Sequence, residues 1–193
     1  MPLITTLANA SARGYGGLLA AAGGGTSYES IATINVGSGG QAALEFTSIP
    51  STFTHLQIRL FVRPTSTSNG PVFMQCNSDT GSNYTRHSIR TDGTTVFASG
   101  QASQTAMYFN GFNVYAGATS NPTVSIIDIL DYKNTNKYKT VRTLAGLENN
   151  GSGEVGLYSG MWMNTNAITS IKLFDNVNYG EYTKAALYGI KGA

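Results

Sequence analysis

From His55 to Arg63 the chain reads HLQIRLFVR, and Leu56, Ile58, Leu60 and Val62 alternate with His55, Gln57, Arg59 and Phe61. Successive side chains of an extended chain point to opposite faces, so a strict period of two describes a strand with one buried face and rules out an amphipathic helix. Text of this kind fills the chain from Ile31 to Ile190. Short β-branched and aromatic segments are cut by Gly, Pro, Asn and Asp clusters at about the 8–12-residue spacing of a β-sandwich. No segment carries a convincing helical stripe. The pattern predicts roughly nine to eleven strands and an all-β fold, a jelly-roll-like two-sheet β-sandwich.

Individual segments carry further expectations. IATINV (31–36) and AALEFT (42–47) flank Gly37-Ser38-Gly39-Gly40, which reads as the turn of a β-hairpin. In PVFMQCN, Val72, Met74 and Cys76 share a face. NSDTGSN (77–83) reads as an Asx-rich turn and Asp92-Gly93 as a tight turn. The aromatic segment 105–115 is interrupted at Asn110-Gly111, a bulge or a hairpin. TVSIIDILDY (123–132) is apolar without clean alternation, which predicts a strand buried on both faces. KNTNKYK (133–139) reads as a polar loop, and ENNGSG (148–153) as a strong turn.

The first 27 residues are written differently. MPLITTLANASARGYGGLLAAAGGGTS holds one charged side chain, Arg13, among Gly, Ala, Ser and Thr. Such a segment cannot bury enough apolar surface to fold by itself, but its small residues allow close approach to another protein. It lacks a basic start, and its longest apolar run, Leu18 to Ala22, is shorter than the roughly 7–15 residues of a signal-peptide core. It therefore reads as an extended anchoring arm, retained in the mature protein. The division expected is residues 1–27 as arm and residues 28–193 as the sandwich domain. Within the arm, Arg13 and Tyr15 are the candidate attachment residues, because Arg and Tyr concentrate binding energy at interfaces.

Composition narrows the partners. Charged residues make up 11% of the chain, against roughly 25% in an ordinary soluble protein, so the surface is polar but weakly charged. That suits a domain covered in part by neighbours or one facing neutral glycans. Net charge is +2 and no Lys/Arg run occurs, so nothing here supports the phosphate neutralisation that nucleic-acid binding needs, and no nucleic-acid partner is expected. No segment approaches the ~20 apolar residues of a helical membrane span. Cys76 is the single cysteine, so no internal disulfide forms. It is expected to be a buried, inert thiol.

Residues of catalytic type are scattered. His55 and His87 lie in different strands, outside any metal-ligand spacing. Asp128 and Asp131 in DILD would face opposite sides of a strand, unsuited to paired acid–base work. There is no nucleophile elbow, and the Gly-rich ARGYGG and GGG lack the context of a phosphate loop. The expectation is a non-enzyme with no cofactor, no metal site and no catalytic residue. The aromatic residues Tyr108, Phe112, Tyr115 and Trp162 are the candidates for a glycan or subunit contact, since Tyr and Trp stack on sugars and bury at interfaces.

The N-terminal ASARGYG (10–16), followed by SYESIATINVGSGG, FTSIPSTFTHLQIRLFVR, NSDTGSNY, DYKNTNKYKTVRTLAG and TKAALYGIKGA, resembles the virion structural proteins of tailed bacteriophages. The likeness runs over nearly the whole chain. It implies a β-sandwich body, commonly oligomeric, tethered to the particle by its N-terminus, with no catalytic residues. The expected location is the virion. The expected partners are other virion proteins (the major capsid protein or a tail component), further copies of the chain as a homo-oligomer, here a trimer, and a host glycan. Two readings stand. The first is a capsid decoration or cement protein; the brief link before Ile31 gives little reach and favours it. The second is a short tail or head fibre that binds a host-surface glycan, which the aromatic segments favour. A polysaccharide-degrading spike would need paired carboxylates in a cleft.

Overall fold

A computed structural model describes residues 27–63, 65, 71–109 and 122–192. The arm with Arg13 and Tyr15, and the segment with Phe112 and Tyr115, lie outside them. Twelve strands run through the described residues, with no helix among them. They are Tyr28–Asn35 (β1), Gln41–Phe46 (β2), His55–Val62 (β3) and Val72–Cys76 (β4). Then come Tyr84–Thr91 (β5), Val96–Gln104 (β6), Met107–Phe109 (β7) and Thr123–Leu130 (β8). Lys139–Asn149 (β9), Ser152–Trp162 (β10), Ile171–Tyr179 (β11) and Lys184–Ile190 (β12) complete the set. The count is one above the upper end of the sequence expectation.

The strands form two wholly antiparallel sheets, ordered β1-β12-β3-β8-β9-β10-β5-β6 and β2-β11-β4-β7. Eight strands give the jelly roll directly. β1, β12, β3 and β8 lie side by side in one sheet, β2, β11, β4 and β7 in the other, and the chain steps between the layers. The hairpins β5–β6 and β9–β10 are additions. They join through β10 and β5 and carry the first sheet well past β8.

The alternating pattern of β3 holds. Leu56, Ile58 and Val62 are 0% exposed and Leu60 is 1% exposed. They share one core with Leu44, Met74, Met107 and Leu173 of the other sheet, all at 0%. Val72, Met74 and Cys76 share the buried face of β4. Burial holds the Cys76 thiol far above the ordinary thiol range. We expect a thiol reagent to label Cys76 at least about a thousandfold more slowly in native buffer than in urea, because labelling must wait for an opening of the sandwich. Labelling at the rate of a free thiol would place Cys76 at the surface.

Two expectations are corrected. The Gly37–Gly40 segment does turn, with the Gly40 amide donating to the Gly37 carbonyl at 3.0 Å, but it does not close a hairpin. β1 pairs with β12 and β2 with β11, so the turn carries the chain from one sheet to the other. Each strand thus covers the core from its own sheet, and the two inner faces pack against each other. Second, β8 is not buried on both faces. Thr123, Ser125, Ile127 and Ile129 point inward, whereas Val124, Ile126 and Leu130 are 40–42% exposed.

The turns follow the sequence reading elsewhere. β9 and β10 are joined by Asn150-Gly151, both with positive φ (46° and 95°), the two-residue hairpin turn that suits the twist of the flanking strands. Between β5 and β6, the Asp92 carboxylate accepts from the Thr94 and Thr95 amides at 2.9 and 2.7 Å.

Candidate functional site

The loops at one end of the sandwich are laced into a polar cap. Asn77 and Ser78 adopt positive φ after β4, which turns Asp79 back over the sandwich. Its Oδ1 accepts from the Gly81 amide at 2.8 Å; its Oδ2 accepts from Asn83 Nδ2 at 2.9 Å and from Trp162 Nε1 at 2.7 Å. Burial pushes this carboxyl up, but the three hydrogen bonds outweigh it, and its pKa lies below the usual value. The Asx-turn reading of NSDTGSN is what the structure contains. Asn77 ties the cap to the loop before β11, accepting from the Thr169 and Ser170 amides and donating to the Ala167 carbonyl.

Trp162 is 1% exposed and ends β10 inside the core. Its indole N–H is spent on Asp79, which leaves no face for a sugar or a neighbouring subunit. Tyr108 sits at a more open place. It is half-buried on β7, packs against Phe73 at 5.2 Å between ring centroids, and carries the Arg86 guanidinium 4.3 Å over its ring. Arg86, 5% exposed, donates to Gln101 Oε1 at 3.1 Å and Ser99 Oγ at 3.3 Å. One step along the added hairpins, Arg90 donates to Glu154 Oε2 at 2.6 Å and lies 4.2 Å over Phe97. Burial pushes the Glu154 carboxyl up, partly offset by Arg90.

At the end of the β3–β8 pair, His55 meets Asp131. Its Nδ1 accepts from the Asp131 amide at 3.0 Å and lies 3.4 Å from Asp131 Oδ1, while Lys137 donates to Oδ2 of the same carboxylate. The contact with the Asp131 amide pins His55 against the turn that follows β8. Asp128 is engaged elsewhere, accepting from Gln57 Nε2 at 2.8 Å. The two acids of DILD therefore do not converge. Among the described residues no group of three or more His, Cys, Asp or Glu could hold a metal ion.

Two surfaces escaped the sequence reading. The first is an aromatic cluster on the outer face where the arm joins. Tyr28 and Tyr188 stack at 4.9 Å, and Arg59 lies 5.6 and 5.5 Å over their rings. The Tyr28 hydroxyl donates to Gln57 Oε1. These residues are scattered in sequence and meet only because β12 pairs with both β1 and β3. The second is an apolar field on the same outer face, in two rows that run across the strands. One row joins Ile126, Leu144, Leu157 and Ile89; the other joins Phe61, Val124, Gly146 and Val155, and continues through Thr91 to Val96. Leu144, Leu157 and Ile89 are 51–55% exposed.

Comparison with protein-family models, with curated proteins and with solved structures finds no match.

Proposed function

We propose that the protein is a non-enzymatic surface component of a tailed-phage particle, a capsid decoration protein. Its arm, residues 1–27, docks on the particle, and its sandwich is displayed outside. The observation that carries this reading is the point where the arm enters the body. Ser27 leads into β1, the edge strand of the larger sheet, and its carbonyl accepts from the Lys191 amide at 2.9 Å. The preceding residues thus join the sandwich at a rim, where the body can be held while both sheets stay intact. The sequence resemblance and the low charge agree with it. Several arms acting together from one oligomer would multiply weak single contacts.

The test is deletion of residues 1–26. The shortened chain is expected to keep its thermal midpoint within a few degrees and to be lost from purified particles. Full occupancy of the shortened chain would move the anchor elsewhere. Copy number places it within the particle: parity with the capsid subunits supports decoration, and a few copies per particle support the tail. The second reading, a short tail or head fibre with a glycan site, is favoured by the Tyr28–Tyr188–Arg59 cluster. An aromatic face with amide and guanidinium donors beside it is what sugar recognition uses.

A further inference from the structure

The apolar field on the outer face of the eight-stranded sheet is larger than a solitary domain needs. Phe61, Ile89, Val96, Val124 and Ile126, together with Leu144, Val155 and Leu157, are each 40–67% exposed. Together they present on the order of 700 Å² to solvent, above the roughly 300–600 Å² of the largest patch on a typical monomer. One face of a standard interface buries roughly 800 Å², so these side chains nearly supply a whole face before any polar rim is added. Neither row carries a charge between Ile126 and Ile89 or between Phe61 and Val96.

The field is also shaped. Gly146 faces outward in the second row, between Val124 and Val155, and leaves a notch walled by Phe61, Ile126, Leu144 and Val155. Among the described residues nothing requires a glycine there. Its φ is not positive, and a Cβ would find within 4 Å only the Glu154 carbonyl oxygen, at an ordinary 3.5 Å. The missing side chain makes room for something from outside. Leu157 and Phe61 stand up on the same face as knobs. A surface that carries both a notch and knobs suits contact with its own copy, and like-to-like contact about a two-fold axis closes at two.

We propose that this face is the interface between two copies of the chain, packed sheet against sheet, with an apolar knob of each copy seated in the Gly146 notch of the other. Sheets pack face to face about 10 Å apart with interdigitating side chains, which the two rows allow. The proposal does not rest on the virion reading and is tested on purified protein alone.

The experiment is sedimentation equilibrium of the full chain from low to high micromolar concentration, alongside Gly146→Glu and Leu144→Lys. The wild type is expected as a pair. Each variant is expected to raise the dissociation constant at least about tenfold, since it leaves a charge buried without a partner in the contact. Both positions face solvent in the single chain, so the urea midpoint of the isolated chain should be unchanged; a variant with a lowered midpoint is replaced by Leu157→Lys on the same row. A wild type that stays a single chain at about 100 µM, where micromolar affinity would already show, overturns the proposal. So does a trimer, or variants that pair as the wild type does. Deletion of residues 1–26 should leave pairing intact. Loss of pairing on that deletion would assign the face to the arm instead.

Discussion

Asp79→Ala is expected to lower the stability of the sandwich by about 3 kcal/mol, the sum of lost charge-assisted hydrogen bonds and an indole N–H left buried without a partner. Trp162 is 1% exposed, so its Nε1 cannot turn to water when the carboxylate is removed. The same change frees the Gly81 amide and the Asn83 side chain, which hold the turn shut. Urea unfolding followed by tryptophan fluorescence reads the effect at its source, because Trp162 is the only tryptophan in the chain. The folded-state pKa of Asp79 is lowered. Its contribution is therefore complete above the unfolded value of about 4 and is lost as pH falls through the folded pKa. Asp79→Ala should flatten the acid limb of the stability curve. A loss below about half a kcal/mol, or an unchanged acid limb, would remove Asp79 from its place as the anchor of the cap.

Lys139→Met is expected to cost a similar amount, about 3 kcal/mol, for a different reason. Lys139 is 0% exposed. Its ammonium donates to the carbonyls of Asn134, Lys137 and Thr165 at 2.6, 2.9 and 2.9 Å. All three protons are used, and no carboxylate is involved. The amine takes the place of a small cation bound by backbone oxygens and ties the loop before β9 to the loop after β10. Methionine fills the volume and leaves the three carbonyls facing an apolar group. Arginine should not rescue the loss, because a planar guanidinium cannot meet acceptors arranged around a pyramidal ammonium. Hydrogen exchange should quicken in residues 133–138 and 163–168 well before it does in β3. Uniform acceleration over the whole sandwich would mean that Lys139 supports the fold globally instead of locking these two loops.

Where one face of a strand is plainly apolar, the sequence shows its facing, as it does for Leu56, Ile58, Leu60 and Val62. Local turn chemistry was legible as well, at Asp92-Gly93, Asn150-Gly151 and the loop around Asp79. Turn residues, however, fix only that the chain reverses. They do not say whether the next strand lies beside the last one or across the core, and this is why Gly37–Gly40 looked like a hairpin. The β8 pattern misled for a related reason. Val124 and Ile126 are as apolar as Ile127 and Ile129, and composition alone cannot separate a doubly buried strand from one with an exposed apolar face. Lys139 sits within seven polar letters, where nothing local distinguishes a buried ammonium from a solvated one. Its three acceptors come from two loops, one of them 26 residues away. The Tyr28–Tyr188–Arg59 cluster depends on pairing between the two ends of the body and has no local signature at all.

The position of β12 also sets a timetable. It lies between β1 and β3, paired to both along nearly its full length, although it is the last of the twelve strands to leave the ribosome. Until Lys184–Ile190 emerges, the two earliest strands of that sheet border an empty slot, each with an unpaired edge. Such edges invite pairing with another chain, and contacts spanning this much sequence form slowly. Closure of the larger sheet therefore waits for the last of the twelve strands. The same step brings Tyr188 onto Tyr28 and the Lys191 amide onto Ser27, so the rim from which the arm departs takes its final form only when the body is complete.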